Sequence, residues 1–256
     1  MDTFGAVLGP LFALIYLAYY PANYRMLFLI AFLTGVLAIT FTFLIIEKKK
    51  EQPEQKTKTH FLDFIIYWKI SPDNYKKLVI GLLIFTLFNS SDVFLLLKIK
   101  EVGYNDTTVI GVYIFYNLIY ALFSYPLGIL ADKIGMKKIL VSGFLLFALT
   151  YIGMAYAESK LMFFSLFFLF GMYAAATEGI AKAWITNVCE KNKIATAIGT
   201  YTAFQSIATL FASTLAGFIW FQFGESLTFL ISGVIAILVA IYILKEVRIA
   251  KTVIKQ

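Results

Sequence analysis

Cysteine and histidine each occur once in the 256 residues, and proline five times. The lone thiol, Cys189, excludes an intramolecular disulfide. His60 lies far along the chain from it, so no metal centre of the His and Cys type is expected. Charge is scarce as well. Asp, Glu, Lys and Arg make up 14% of the chain, against about a quarter in an ordinary soluble domain. Ser-His-Asp and Cys-His arrangements, phosphate-binding loops and nucleotide fingerprints are all missing. The sequence therefore predicts neither an enzyme nor a chain that itself pumps with ATP, and it calls for no cofactor. A membrane-embedded enzyme would need His, Cys or carboxylates clustered near one membrane face, and no such cluster is visible. The first apolar run has no basic start and is too long for a signal peptide.

What the chain does have is apolar surface. Apolar residues reach 61%, Phe alone occurs 26 times, and the mean hydropathy is +0.82. That much apolar surface cannot be hidden inside a soluble domain of 28.9 kDa, so lipid must be the solvent. The net charge of +7 could suggest nucleic acid. No basic stripe interleaved with exposed aromatics supports that partner.

A helix crossing about 30 Å of hydrocarbon needs about 20 mostly apolar residues. Eight runs qualify: Phe4–Tyr20, Met26–Ile46, Leu78–Leu97, Thr108–Leu127, Ile139–Ala157, Leu161–Ile185, Ala195–Phe221 and Leu227–Leu244. They are continuous rather than alternating, which favours helices over a barrel. The expected fold is an all-α membrane protein of eight transmembrane helices.

The basic residues divide by loop. Of the 22 Lys and Arg, all but Arg25, Lys98, Lys100 and Lys160 follow the second or fourth span, stand at or after the end of the sixth, or lie in the tail. This asymmetry predicts that both termini and the long loop are cytoplasmic. Three units are expected: two spans over residues 1–46, a basic linker over 47–77, and six spans with a tail over 78–256. The start of the linker is charged and contains proline. Its second part, Phe61–Trp68, is apolar but too short to span, and reads as a short helix in the membrane interface.

The loop between the fourth and fifth spans runs Gly128-Ile-Leu-Ala-Asp132-Lys133-Ile-Gly135-Met136-Lys137-Lys138. Its glycines permit close approach and positive φ. Asp132 can cap a helix start or meet its positive dipole end. Lys137 and Lys138 would anchor the next helix at the membrane surface. This segment resembles the signature cytoplasmic loop of the major facilitator superfamily. Gly128, Leu130, Asp132, Gly135 and the basic pair match it, while Met136 replaces a usually basic residue.

The six spans after a long basic loop resemble that family's C-terminal half, and the first two resemble its fifth and sixth helices. The resemblance implies a secondary transporter lacking four helices at the start, or a fragment that assembles with a separate N-terminal piece. It also implies that the third, fourth, sixth and seventh spans face a central cavity. Gly5-x-x-x-Gly9-Pro10 resembles an element of the fifth helix of proton-driven exporters. The same spacing is a common packing face for membrane helices, which is the reading favoured here.

Polar residues inside the spans are the candidate sites. Asp92, near Asn89 in the third span, is a candidate for binding a proton or cation. The alternative is a structural role paired with Lys98. Glu178 and Lys182 stand at i, i+4 in the sixth span, as a structural ion pair or as a coupling pair. Tyr113, Asn117, Tyr120 and Ser124 share one face of the fourth span. Thr202, Gln205, Thr209 and Ser213 share one of the seventh. Of these, Tyr113, Asn117, Tyr120 and Gln205 are the substrate-pathway candidates, and Gly128, Asp132, Gly135, Lys137 and Lys138 are candidates for closing a cytoplasmic gate. The expected partners are the lipid bilayer, a small-molecule substrate and protons.

Overall fold

Polar residues ahead of the apolar runs start several of the helices. Asn105 accepts the Thr108 amide at 3.0 Å, and Ser159 accepts that of Met162 at 3.2 Å. Each satisfies a backbone donor that the first turn leaves without a partner. The computed structural model describes residues 2–20, 23–43 and 63–247. Its helices are α1 (Asp2–Tyr19), α2 (Tyr24–Phe43), α3 (Asp63–Ile70), α4 (Asp73–Phe88), α5 (Asp92–Glu101), α6 (Asp106–Ile134), α7 (Met136–Met154), α8 (Lys160–Val188), α9 (Ile194–Phe223) and α10 (Glu225–Glu246). His60 and the charged stretch around it lie outside the described residues.

The chain is a multi-pass, all-helical membrane protein. Among the described residues seven spans are long and apolar enough to cross a membrane, with α4 and α5 counted as one, and α1 contributes a shorter apolar helix. Eight elements thus stand where eight spans are expected. The third is not one rod, however: it breaks at residues 89–91. It also begins five residues earlier than the apolar run suggests, because Pro72 stands at the N-cap position of α4 and Asp73 occupies its first turn. α3 occupies most of the stretch read as a short interfacial helix. It packs on α9 through Phe64 and Trp68, both 5.5 Å from the Phe204 ring.

The helices alternate in direction, as contacts at both ends show. At one end, which carries most of the described lysines, Lys77 pairs with Glu246 at 2.8 Å. There the Tyr75 hydroxyl also donates to the Ala197 carbonyl at 2.8 Å. At the other end Tyr104 donates to the Glu158 carbonyl at 3.2 Å, and Lys98 pairs with Glu225.

α8 lies against both α6 and α7, α10 covers the other side of α7, and α4 touches α9 and α10. Small residues allow these approaches, as lipid-embedded packing requires. A Cβ on Gly171 would sit 2.8 Å from Ile119 and 2.9 Å from the Tyr116 carbonyl oxygen. Around this seam Phe85, Phe144, Phe147, Tyr151, Phe170 and Tyr173 form an aromatic core. The Phe147 and Tyr151 rings stack at 3.9 Å.

Gly5 and Gly9 have open space where a side chain would stand. Neither uses its missing Cβ for close packing among the described residues. α1 nevertheless packs on α6, while α2 has no buried residue.

Candidate functional site

The break in the third span follows from local chemistry. Asn89, Ser90 and Ser91 have side chains that compete with the helical ladder for backbone partners. Ser91 caps the new helix by accepting the Val93 amide at 3.4 Å. Buried partners then hold the break. The Asn89 amide donates to the Tyr173 hydroxyl at 3.1 Å, and Ser90 Oγ lies 3.3 Å from the Tyr151 hydroxyl. α5 therefore starts inside the membrane with Asp92 in its first turn. The amides of that turn carry the positive end of the helix dipole.

This break lines a cleft of about 700 Å³. Its walls include Thr86 from α4, Asn89 from the break, Asp92 from α5, Tyr113 from α6, and Phe144 from α7. Tyr173, Thr177, Glu178 and Lys182 come from α8, and Tyr201, Gln205, Thr209 and Ser213 from α9. The cleft brings together Asn89, Asp92, Tyr113 and Gln205, four of the expected pathway residues, although up to 116 positions separate them in sequence. The Asn89 side-chain oxygen is buried and without a hydrogen-bond partner among the described residues.

Several expectations are corrected. Asn117 does not reach the cleft. It is 4% exposed, and its amide turns back to the Tyr113 carbonyl at 2.9 Å, so its polarity is satisfied within α6. Tyr120 and Ser124 line a separate cleft of about 290 Å³ with Gly128, Asp132 and Met136. Thr202 likewise bonds within its own helix, to the Ile198 carbonyl at 2.8 Å. The expected Glu178–Lys182 pair is not formed, because Glu178 instead accepts the Tyr120 hydroxyl at 2.7 Å from across the helix interface. Lys98 pairs with Glu225 rather than Asp92.

The loop motif is tighter than the apolar runs suggest. α6 continues through Asp132 to Ile134, and Gly135 alone separates it from α7. Gly135 has φ +101°, a conformation that side chains disfavour. Asp132 lies in the last turn of α6 and does not cap α7, whose N-cap makes no side-chain bond. Lys137 crosses to the far end of the chain. Its ammonium donates to the carbonyls of Leu244 and Val247 at 2.8 and 2.7 Å, satisfying acceptors that the end of α10 leaves open.

A sequence model of the Major Facilitator Superfamily matches residues 78–255. The chain belongs to the major facilitator superfamily. An uncharacterized MFS-type transporter of Methanocaldococcus jannaschii is 32% identical over 249 residues, covering 95% of this chain. The chain spans 61% of that relative's length.

Within this major facilitator chain the cleft also contains residues that span-by-span reading passes over. Tyr173 and Tyr201 sit in apolar runs where a tyrosine looks like core, and Thr86 and Thr177 look like helix glue. The fifth span contributes Leu140 and Phe144 as well. No local sequence signal marks Tyr173, which meets Asn89 only through tertiary packing, 84 positions away. Among the described residues no group of three or more His, Cys, Asp or Glu is placed to hold a metal ion. Cys189 lies in the turn after α8, where burial pushes its thiol pKa up and its Sγ meets the Thr186 carbonyl at 3.5 Å.

Proposed function

We propose that the complete protein is a secondary transporter that moves a small solute by alternating access, driven by protons. The observation that supports it most is the helix break at 89–91, which sets Asp92 and the start of a half-helix against an amphipathic cleft. Broken helices inside a membrane are tolerated where they line a cavity, and they are a recurrent way to build solute and ion sites.

In this reading Asp92 and Asn89 contact the proton or cation. Tyr113 and Gln205 contact the solute, and the walls of Phe85, Phe144 and Tyr201 suit an amphipathic molecule. The Asp132–Lys138 loop helps to close the end carrying most of the described lysines, which faces the cytoplasm of a cell membrane. Transport runs outward, as the likeness of Gly9-Pro10 to proton-driven exporters suggests.

The test uses the complete protein in liposomes with an imposed pH gradient. Asp92→Asn should abolish gradient-driven accumulation while solute counterflow persists, and unchanged accumulation would remove Asp92 from coupling. Loss of both in Asp92→Asn would make it a solute contact instead.

A second reading rests on α2, which is strongly apolar yet has no buried residue. Lipid can cover such a helix, and so can further protein; this reading takes the second. In this reading the chain works as one part of a larger assembly. Counterflow by the purified chain alone would refute it. Absence of counterflow, restored by adding an N-terminal piece, would support it.

A further inference from the structure

Three helices meet at a charged cluster that the cleft does not use, at the end of the bundle remote from Lys77 and Lys137. Lys98 of α5 is only 6% exposed and forms an ion pair with Glu225 Oε1, at the first residue of α10. One carboxylate thus balances this ammonium. Glu225 Oε2 is sealed from solvent and has no hydrogen-bond partner among the described residues. The carboxyl group of Glu101, at the end of α5, lies within hydrogen-bond reach of Glu225. Glu101 Oε1 also accepts the indole N–H of Trp220, near the end of α9, at 3.3 Å.

Two ionised carboxylates offer each other only acceptors. At this separation they also repel in a partly dry site where Lys98 is the cation that acts on them among the described residues. A single proton between them resolves both faults. It supplies the missing donor as a charge-assisted O–H···O bond, and it leaves one negative charge to match Lys98. We propose that Glu101 and Glu225 share one proton, and that this proton closes a latch joining the end of α5 to α9 and α10.

The groups facing the pair are few. α5 supplies Lys98, and α9 supplies the uncharged Trp220 indole. α7 reaches the start of α10 through the Ala155 carbonyl, which accepts the Ser226 hydroxyl at 3.0 Å. Lys100 is engaged with Asp106, which also accepts the Tyr24 hydroxyl at 2.9 Å. When the pair loses its proton to water, the exposed Glu101 is the side chain free to swing away, because Glu225 is held by Lys98. That movement releases Trp220 and the end of α5. The other end of the same ten-residue helix carries Asp92 in the cleft. The latch therefore makes the seating of this half-helix depend on pH at the membrane face opposite the lysine-rich one.

Trp220 reports on the latch directly. The protein in lipid nanodiscs is titrated with pH while its intrinsic fluorescence is followed, with Trp220→Phe marking the part that belongs to this site. The expected result is a single one-proton step in the parent protein that is absent from Trp220→Phe. The step should vanish in both Glu101→Gln and Glu225→Gln, whose amides donate permanently in place of the proton. The infrared C=O band of a protonated carboxyl should disappear in the same two variants. Absence of a Trp220-dependent step in the parent protein overturns the proposal. So does a step that survives in either variant, since a lone titrating carboxyl is not a shared proton.

Discussion

Replacing Gly171 by alanine tests whether the seam between α6 and α8 is as close as the structure requires. The new Cβ would stand 2.8 Å from Ile119 Cβ and Cγ2 and 2.9 Å from the Tyr116 carbonyl oxygen. Carbon contacts settle at about 3.5–4.0 Å. The helices must therefore separate by roughly 0.7–1.2 Å, because the blocking atoms are backbone or next to it. Overpacking of this kind costs about 1–3 kcal/mol. Gly179, about two turns further along α8, meets nothing within 4 Å, so alanine there keeps only the helix-propensity gain of about 1 kcal/mol. Both substitutions share that gain, so their difference isolates the overpacking. Equilibrium unfolding in lipid–detergent micelles should find Gly171→Ala less stable than Gly179→Ala by about 1–3 kcal/mol. Moving α8 also shifts Tyr173, which holds Asn89 at 3.1 Å, so Gly171→Ala should lower solute binding by the complete protein. Equal stability of the two variants would refute the close approach.

Two further substitutions probe the α6–α7 connection. Gly135→Ala forces a side chain into φ +101° and should cost about 1–3 kcal/mol, measured by the same unfolding assay. A loss below 0.5 kcal/mol, roughly the effect of an ordinary surface change, would mean that the turn relaxes. Lys137→Met removes two hydrogen bonds to the end of α10 and should cost about 1–3 kcal/mol. It should also speed amide hydrogen exchange in the last turn of α10 and leave α4 unaffected. Unchanged exchange there would show that other groups hold that end.

The spans and the lysine asymmetry are legible in the chain because lipid imposes rules that act along the sequence. A crossing segment must be apolar for about 20 residues and must satisfy its own backbone. The same rule explains why the end of the third span looked continuous: apolar residues from Val93 to Leu97 follow close behind the break, so hydropathy averages across it. The cleft was partly legible, in that Asn89, Asp92, Tyr113 and Gln205 are polar groups that lipid would not tolerate. Asn117 fits the same description and is buried instead, because a helix can satisfy an amide from its own carbonyl four residues back.

The sequence by itself determined that this chain is a bundle of membrane helices with one lysine-rich end, and its loop motif was enough to suggest the family. Only the tertiary structure decided which polar group meets which. Glu178 passes over Lys182, four residues along its own helix, for Tyr120, 58 positions away, and Lys98 takes Glu225, 127 positions away. The physical reason is that hydropathy and helical period are properties of one segment. The partner of a charge in the bundle is set by whichever helices the packing brings alongside, and that depends on where small residues such as Gly171 let two backbones meet.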